Sequence, residues 1–195
     1  ADAIFHLFNQ ETGMYSSSFK LSTNSKGKLV ATQLSSWKMS LAEVGTYQLE
    51  FLTLTALTGD KKYMDLALKL YKRLWKDNPI HTILVDPTEN QAQTKRLIDG
   101  QRHLGGAADS YYEYIIKTYL LTNGVSPRIL KQHLMIMKDI KKDLLFTTDK
   151  LKLIGVGVWE QGKLRKIVEH LATFVPGMIA IGTVKNNDKK DEDMQ

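Results

Sequence analysis

The sequence predicts an all-α fold made of helical hairpins, and three observations carry that reading. Apolar residues recur at i, i+3, i+4 and i+7 in several segments, Gly, Asn and Pro breakers stand between those segments, and alternation of strand type is confined to Leu151–Val158. At 195 residues and 43% hydrophobic content the chain is one domain by length and can bury a substantial core. Helices following one another in pairs suit a solenoid or an α/α toroid, and no fixed-period repeat nominates a TPR, HEAT or ankyrin array.

Taken in order, Ala1 to Phe8 reads as the end of a helix already under way, because Ile4, Leu7 and Phe8 share a face without an opening cap. From Ser40 to Thr58, Leu41, Val44, Leu49, Leu52, Leu54 and Leu57 predict one helix, stopped by Gly59-Asp60. The next helix, from about Asp60 to Lys76, carries the stripe Tyr63, Leu66, Ala67, Leu70 and Leu74 and ends at Asn78-Pro79. Ile80 to His103, without sustained period, reads as a long loop with short extended pieces. A helix from about Gly106 to Leu121 is broken by Asn123-Gly124, and Pro127 opens another through about Leu144. Leu151–Val158 is expected to form a small β-hairpin with Gln161-Gly162 nearby, followed by a helix from Lys163 to Phe174 and an apolar segment from Met178 to Val184. The polar tail 185–195 has no aromatic residue and is expected to be disordered, leaving 1–184 as the folded domain.

The net charge of +6 is spread over helix faces that also carry Asp65, Asp77, Asp139 and Asp143, so no concentrated patch points to a nucleic-acid partner. Zero cysteines exclude disulfides, thiolate metal sites and a cysteine nucleophile. No apolar run reaches the length of a membrane span and the first ten residues lack signal-peptide character. Walker, GxGxxG, HExxH, GxSxG and EF-hand patterns are absent.

What remains are carboxylates in suggestive places. In GGAADSYYEYIIKTYLLT, Gly105–Thr122, Asp109 and Glu113 lie one helical turn apart and share a face, beside Tyr111, Tyr112, Tyr114 and Tyr119, whose rings would suit stacking on a sugar. Glu43 and Glu50, seven residues apart, fall near one face of their predicted helix, and Glu169-His170 leads into LATFVPG. Glycoside hydrolysis needs two carboxyl groups across a bound sugar, one acid and one base or nucleophile. The chain has these ingredients, and no three-residue metal cluster is legible in it.

Three ordered blocks resemble the class I α-1,2-mannosidases of glycoside hydrolase family 47: LAEVGTYQLEFLTLTALTGDKKY at Leu41–Tyr63, GGAADSYYEYIIKTYLLT at Gly105–Thr122, and EHLATFVPGMIAIG at Glu169–Gly182. The resemblance implies part of an (α/α)7 barrel that hydrolyses α-1,2-linked mannose of high-mannose N-glycans with inversion, in the Golgi or endoplasmic reticulum of the secretory pathway, with a calcium cofactor at the barrel floor. By matching positions it implies Asp109 as a catalytic-site residue and Glu50, Glu113 and His170 as glycan-binding residues, with weaker support for Glu43.

Ala107 stands where endoplasmic-reticulum-type members carry an arginine and Golgi-type relatives a smaller uncharged residue, which makes the chain Golgi-type-like; Thr173 stands where many members carry a disulfide-forming cysteine, so that staple is absent. The resemblance also implies that the general acid precedes Ala1 and that the base and the main calcium-contacting residue follow Gln195. The expectation is therefore a partial catalytic domain, inactive alone, from a protein that could carry a membrane anchor elsewhere. Its rivals are a non-catalytic mannosidase-like lectin in glycoprotein quality control and a purely structural helical fragment.

Overall fold

The computed structural model describes residues 2–9, 13, 15, 18–34, 40–77 and 102–192. A single turn, α1 (Asp2–Phe5), is followed by the hairpin β1 (Phe19–Thr23) and β2 (Leu29–Gln33), then α2 (Leu41–Gly45), α3 (Gln48–Thr58) and α4 (Lys62–Asp77). After residue 101 come α5 (Asp109–Leu121), α6 (Pro127–Asp139) with a π-turn at Ile140–Leu144, and the hairpins β3 (Leu145–Thr147) with β4 (Ile154–Val156) and β5 (Val158–Glu160) with β6 (Lys163–Arg165). A 3-10 turn, His170–Phe174, leads into α7 (Val175–Glu192).

The breakers act as expected. Gly59 takes φ 72 and returns its N–H to the Thr55 carbonyl, closing α3. Asn123 at φ 51 and Gly124 at φ 76 end α5, with the Gly124 N–H on the Tyr119 carbonyl. Pro127 opens α6, where its missing N–H costs no helical bond.

Three expectations are corrected. The helix expected from Ser40 to Thr58 is two, α2 and α3, broken at Thr46–Tyr47. Thr46 turns its hydroxyl back onto the Ala42 carbonyl at 2.6 Å, and the Gln48 side chain accepts the Tyr47 N–H at 3.1 Å, so local side chains replace the helical ladder there. Tyr47, buried, donates to the Gly13 carbonyl at 2.7 Å and so anchors the bend in the core.

The helix expected from Lys163 to Phe174 is strand β6, an extended link and a 3-10 turn. Gln161 at φ 51 and Gly162 at φ 77 form a two-residue turn with two positive φ values, which pairs Glu160 with Lys163 and Val158 with Arg165. Of the helix expected over Ala1–Phe8, residues 2–8 are helical only over α1, and Phe8 then bridges to Tyr15.

Residues 151–158, expected to form one hairpin, instead supply one strand to each of two: β4 pairs with β3 before it and β5 with β6 after it. The hairpin β1–β2 has no counterpart among the sequence expectations. Asn24 closes it by accepting the N–H groups of Lys26 and Lys28, both at 3.0 Å, with Gly27 at φ 72. The Asn78-Pro79 stop and the Ile80–His103 loop up to residue 101 fall outside the described residues; Arg102 pairs with Trp159 as an isolated bridge and His103 is buried. Helix α7 crosses the 184–185 boundary without a break, so the division into domain and tail rests on composition alone.

Helices α3 and α4 form one antiparallel pair, α5 and α6 a second, and α5 also packs on α2, α3 and α7. The core between them holds Leu41, Val44, Leu66, Leu70, Tyr71, Tyr111, Tyr112, Ile115, Ile116 and Ile136. Gly45 lies against the Tyr111 ring, where a Cβ would collide with it, which lets α2 close onto α5. This packing fixes α5 as the central element and sets its first turn beside the loop 103–108.

Candidate active site

The site is built on the polar side of α5. Asp109 is the first residue of that helix and is half-buried; its Oδ1 accepts the Ser110 N–H at 2.8 Å. A carboxylate there also complements the positive end of the helix. Glu113, one turn further and so about 6 Å along the axis, pairs with Lys117 at 2.6 Å. The ordinary i, i+4 partner of a solvated helix face is thus present at Glu113.

From the neighbouring helix, Glu50 in the first turn of α3 accepts the Tyr114 hydroxyl at 2.9 Å. Burial, and then the Glu50 carboxylate, push the Tyr114 hydroxyl up to about 12. Tyr114 therefore stays protonated at neutral pH and donates to Glu50. The structure thus joins Glu50 to the same helix as Asp109 and Glu113.

Glu43 is not part of this group. It closes a capping box at the start of α2, taking the Ser40 N–H at 2.6 Å while its own N–H reaches the Ser40 hydroxyl at 3.2 Å. The break at Thr46–Tyr47 places it on a different helix from Glu50.

Glu169 and His170 separate. His170 is exposed, and its carbonyl accepts the Thr173 hydroxyl at 2.7 Å. Glu169 turns towards the loop before α5, where its Oε2 accepts the Gly106 N–H at 3.0 Å and its Oε1 stands 3.5 Å from Nδ1 of buried His103. Residues more than sixty positions apart therefore meet next to Asp109. The sequence resemblance points to His170; the Gly105-Gly106 doublet, open enough to admit a carboxylate, is the signal that points to Glu169.

The tyrosines are a correction. Tyr111, Tyr112 and Tyr119 are buried in the core and cannot stack on a sugar; Tyr111 packs edge-to-face on Tyr71 and Tyr112 and accepts the Trp75 indole N–H at 3.3 Å. Of the four on α5, Tyr114 alone faces the site.

These features match one family over the whole chain: the model of glycosyl hydrolase family 47 covers residues 1–195. The chain belongs to glycosyl hydrolase family 47. Among its relatives, the mannosyl-oligosaccharide 1,2-alpha-mannosidase IB of Mus musculus is 31% identical over 78% of this chain and 23% of its own length. The endoplasmic reticulum mannosyl-oligosaccharide 1,2-alpha-mannosidase of Saccharomyces cerevisiae is 31% identical over 90% of this chain and 32% of its own length. An alpha-1,2-mannosidase structure from Trichoderma reesei superposes with a TM-score of 0.77 at 21% identity, covering 99% of this chain and 39% of that one.

The fold is therefore the partial (α/α)7 barrel expected for a family 47 segment, mostly helical with small hairpins. The chain spans about a quarter to a third of the length of those relatives. Among the described residues no group of three or more His, Asp or Glu side chains could hold a metal ion. No described helix is long and apolar enough to cross a membrane.

Proposed function

We propose that the protein to which this chain belongs is a mannosyl-oligosaccharide 1,2-alpha-mannosidase that removes α-1,2-linked mannose from high-mannose N-glycans. The observation that carries this reading is the whole-chain family match; Asp109 and Glu113 on the polar side of α5, Glu50 on Tyr114 of that helix and Glu169 on the turn before it support the choice of residues. Residues 1–184 are part of the catalytic domain and 185–195 a polar tail.

Hydrolysis with inversion protonates the leaving oxygen on one face of the sugar and activates water on the other. In this arrangement Asp109 orients water and the leaving oxygen. Glu50, Glu113 and exposed His170 hold sugar hydroxyls, and the Tyr114 hydroxyl keeps the Glu50 carboxylate aimed. Calcium, if the full protein binds it, is held by residues outside those described. The uncharged Ala107 beside the site supports broad trimming of the Golgi type in the secretory pathway over single-bond specificity.

The test is release of mannose from a high-mannose glycan by the full-length protein with calcium present, followed by NMR of the first-formed anomer. The reading predicts β-mannose before mutarotation. Retained α-mannose would refute inversion; glycan binding with no release would favour a lectin.

A further inference from the structure

We propose that Glu169 is a positioning residue: it locks the Gly105–Gly106 turn and through that turn sets the direction of the Asp109 carboxylate, without itself touching the sugar. The catalytic consequence rests on the mannosidase reading above; the clamp does not.

The argument begins with Gly105, whose groups all have partners. Its N–H donates to His103 Nδ1 at 3.1 Å, and its carbonyl accepts the N–H groups of Ala108 at 3.1 Å and Asp109 at 3.0 Å. That carbonyl therefore starts α5, and a rotation of the 105–106 peptide moves the backbone from which the Asp109 side chain departs. Glu169 blocks the rotation. Its Oε2 holds the Gly106 N–H, and its carboxylate lies so close over Gly105 that a Cβ there would collide with it.

The far side of the turn is fixed as well. Ala107 adopts φ 70, a left-handed conformation costly for a residue with a side chain, and its carbonyl accepts the Ala42 N–H of α2 at 2.9 Å. A turn strained at one residue and tied to α2 needs a restraint on its other side, and Glu169 supplies it. His103 Nδ1 accepts the Gly105 N–H, so the imidazole supports the glycine, and Glu169 Oε1 stands beside that nitrogen at 3.5 Å. The other oxygen of Glu169, Oε2, serves Gly106, and the same contact tethers the following His170 to the start of α5.

The test uses Glu169→Ala, Glu169→Asp and Glu169→Gln in the full-length protein, read by amide hydrogen exchange at residues 105–109 and by kcat and KM for mannose release. Losing a hydrogen bond to a charged acceptor predicts about 10- to 100-fold faster exchange at Gly106 in Glu169→Ala, and a kcat lower by a similar factor with KM changed by less than about 3-fold. Glu169→Gln keeps an acceptor oxygen and should stay within about 5-fold on both readouts, whereas the shorter Glu169→Asp should fall between. Unchanged exchange at Gly106 in Glu169→Ala would overturn the clamp. A raised KM with unchanged kcat would make Glu169 a sugar contact instead. If the wild-type protein releases no mannose, the mannosidase reading fails while the exchange data still decide the clamp.

Discussion

Along one side of α5, Tyr111, Tyr112, Ile115, Ile116 and Tyr119 are buried against α2, α4 and α6, whereas Asp109, Glu113, Tyr114 and Lys117 on the other side stay half-buried and meet polar partners. The same thirteen residues thus serve as core and as site. Aromatic richness belongs to the first side, where rings pack edge-to-face; the second works with carboxylates, one phenol and a glycine turn. An aromatic ring near an acid in sequence is therefore no sign of a sugar platform until its face on the helix is known.

The comparison can be broken from the core side first. Tyr112→Ala removes a wholly buried ring and should destabilise the fold by about 3–5 kcal/mol. Urea unfolding would show it as a lower midpoint at unchanged slope. A loss below about 1 kcal/mol would mean that this side of α5 is not the core.

A second contrast concerns polar groups. Glu169 and Glu50 each have a donor, but His133 on α6 is buried against Gly182 of α7 with neither ring nitrogen hydrogen-bonded among the described residues. Burial lowers its titration from 6.5 to about 4. A base with a depressed folded value binds its proton more readily when unfolded. Stability is therefore full above about pH 6.5, falls as pH drops towards about 4, and levels off below, for a total of order 3 kcal/mol. His133→Leu should flatten that part of the urea-midpoint profile between pH 7 and 4.5; a profile identical to wild type would contradict the assignment.

The smallest effect is expected at the seam between the two sides. Tyr114→Phe deletes the bond to Glu50 and should cost about 1 kcal/mol or less, because Glu50 is exposed and water replaces the phenol. It should also remove a phenol that titrates near 12 from the alkaline absorbance curve. A curve unchanged above pH 11 would place Tyr114 elsewhere.

Much of this was legible in the sequence. The i, i+4 spacing of Asp109 and Glu113 put both on one face, and Gly59, Asn123-Gly124 and Pro127 marked helix ends through backbone restrictions that act locally. The α2–α3 break was not legible, because it depends on Thr46 back-bonding and on Tyr47 reaching Gly13, thirty-four residues away. Hairpin β1–β2 escaped because its strands are mostly exposed on both faces and give no period-two apolar signal; Ala31 alone is fully buried. That Glu169 rather than His170 turns inward rests on its contacts with Gly106 and His103, more than sixty residues away, a tertiary outcome that local spacing does not encode.

The most direct test of the account pairs Asp109→Asn with wild type in the full-length protein, measuring mannose release and thermal unfolding on the same samples. The account predicts a loss of release of about 10²–10⁴-fold with stability changed by less than about 1 kcal/mol, since Asp109 lies on the site side of α5. Release near the wild-type rate, or destabilisation as large as that of Tyr112→Ala, would contradict it.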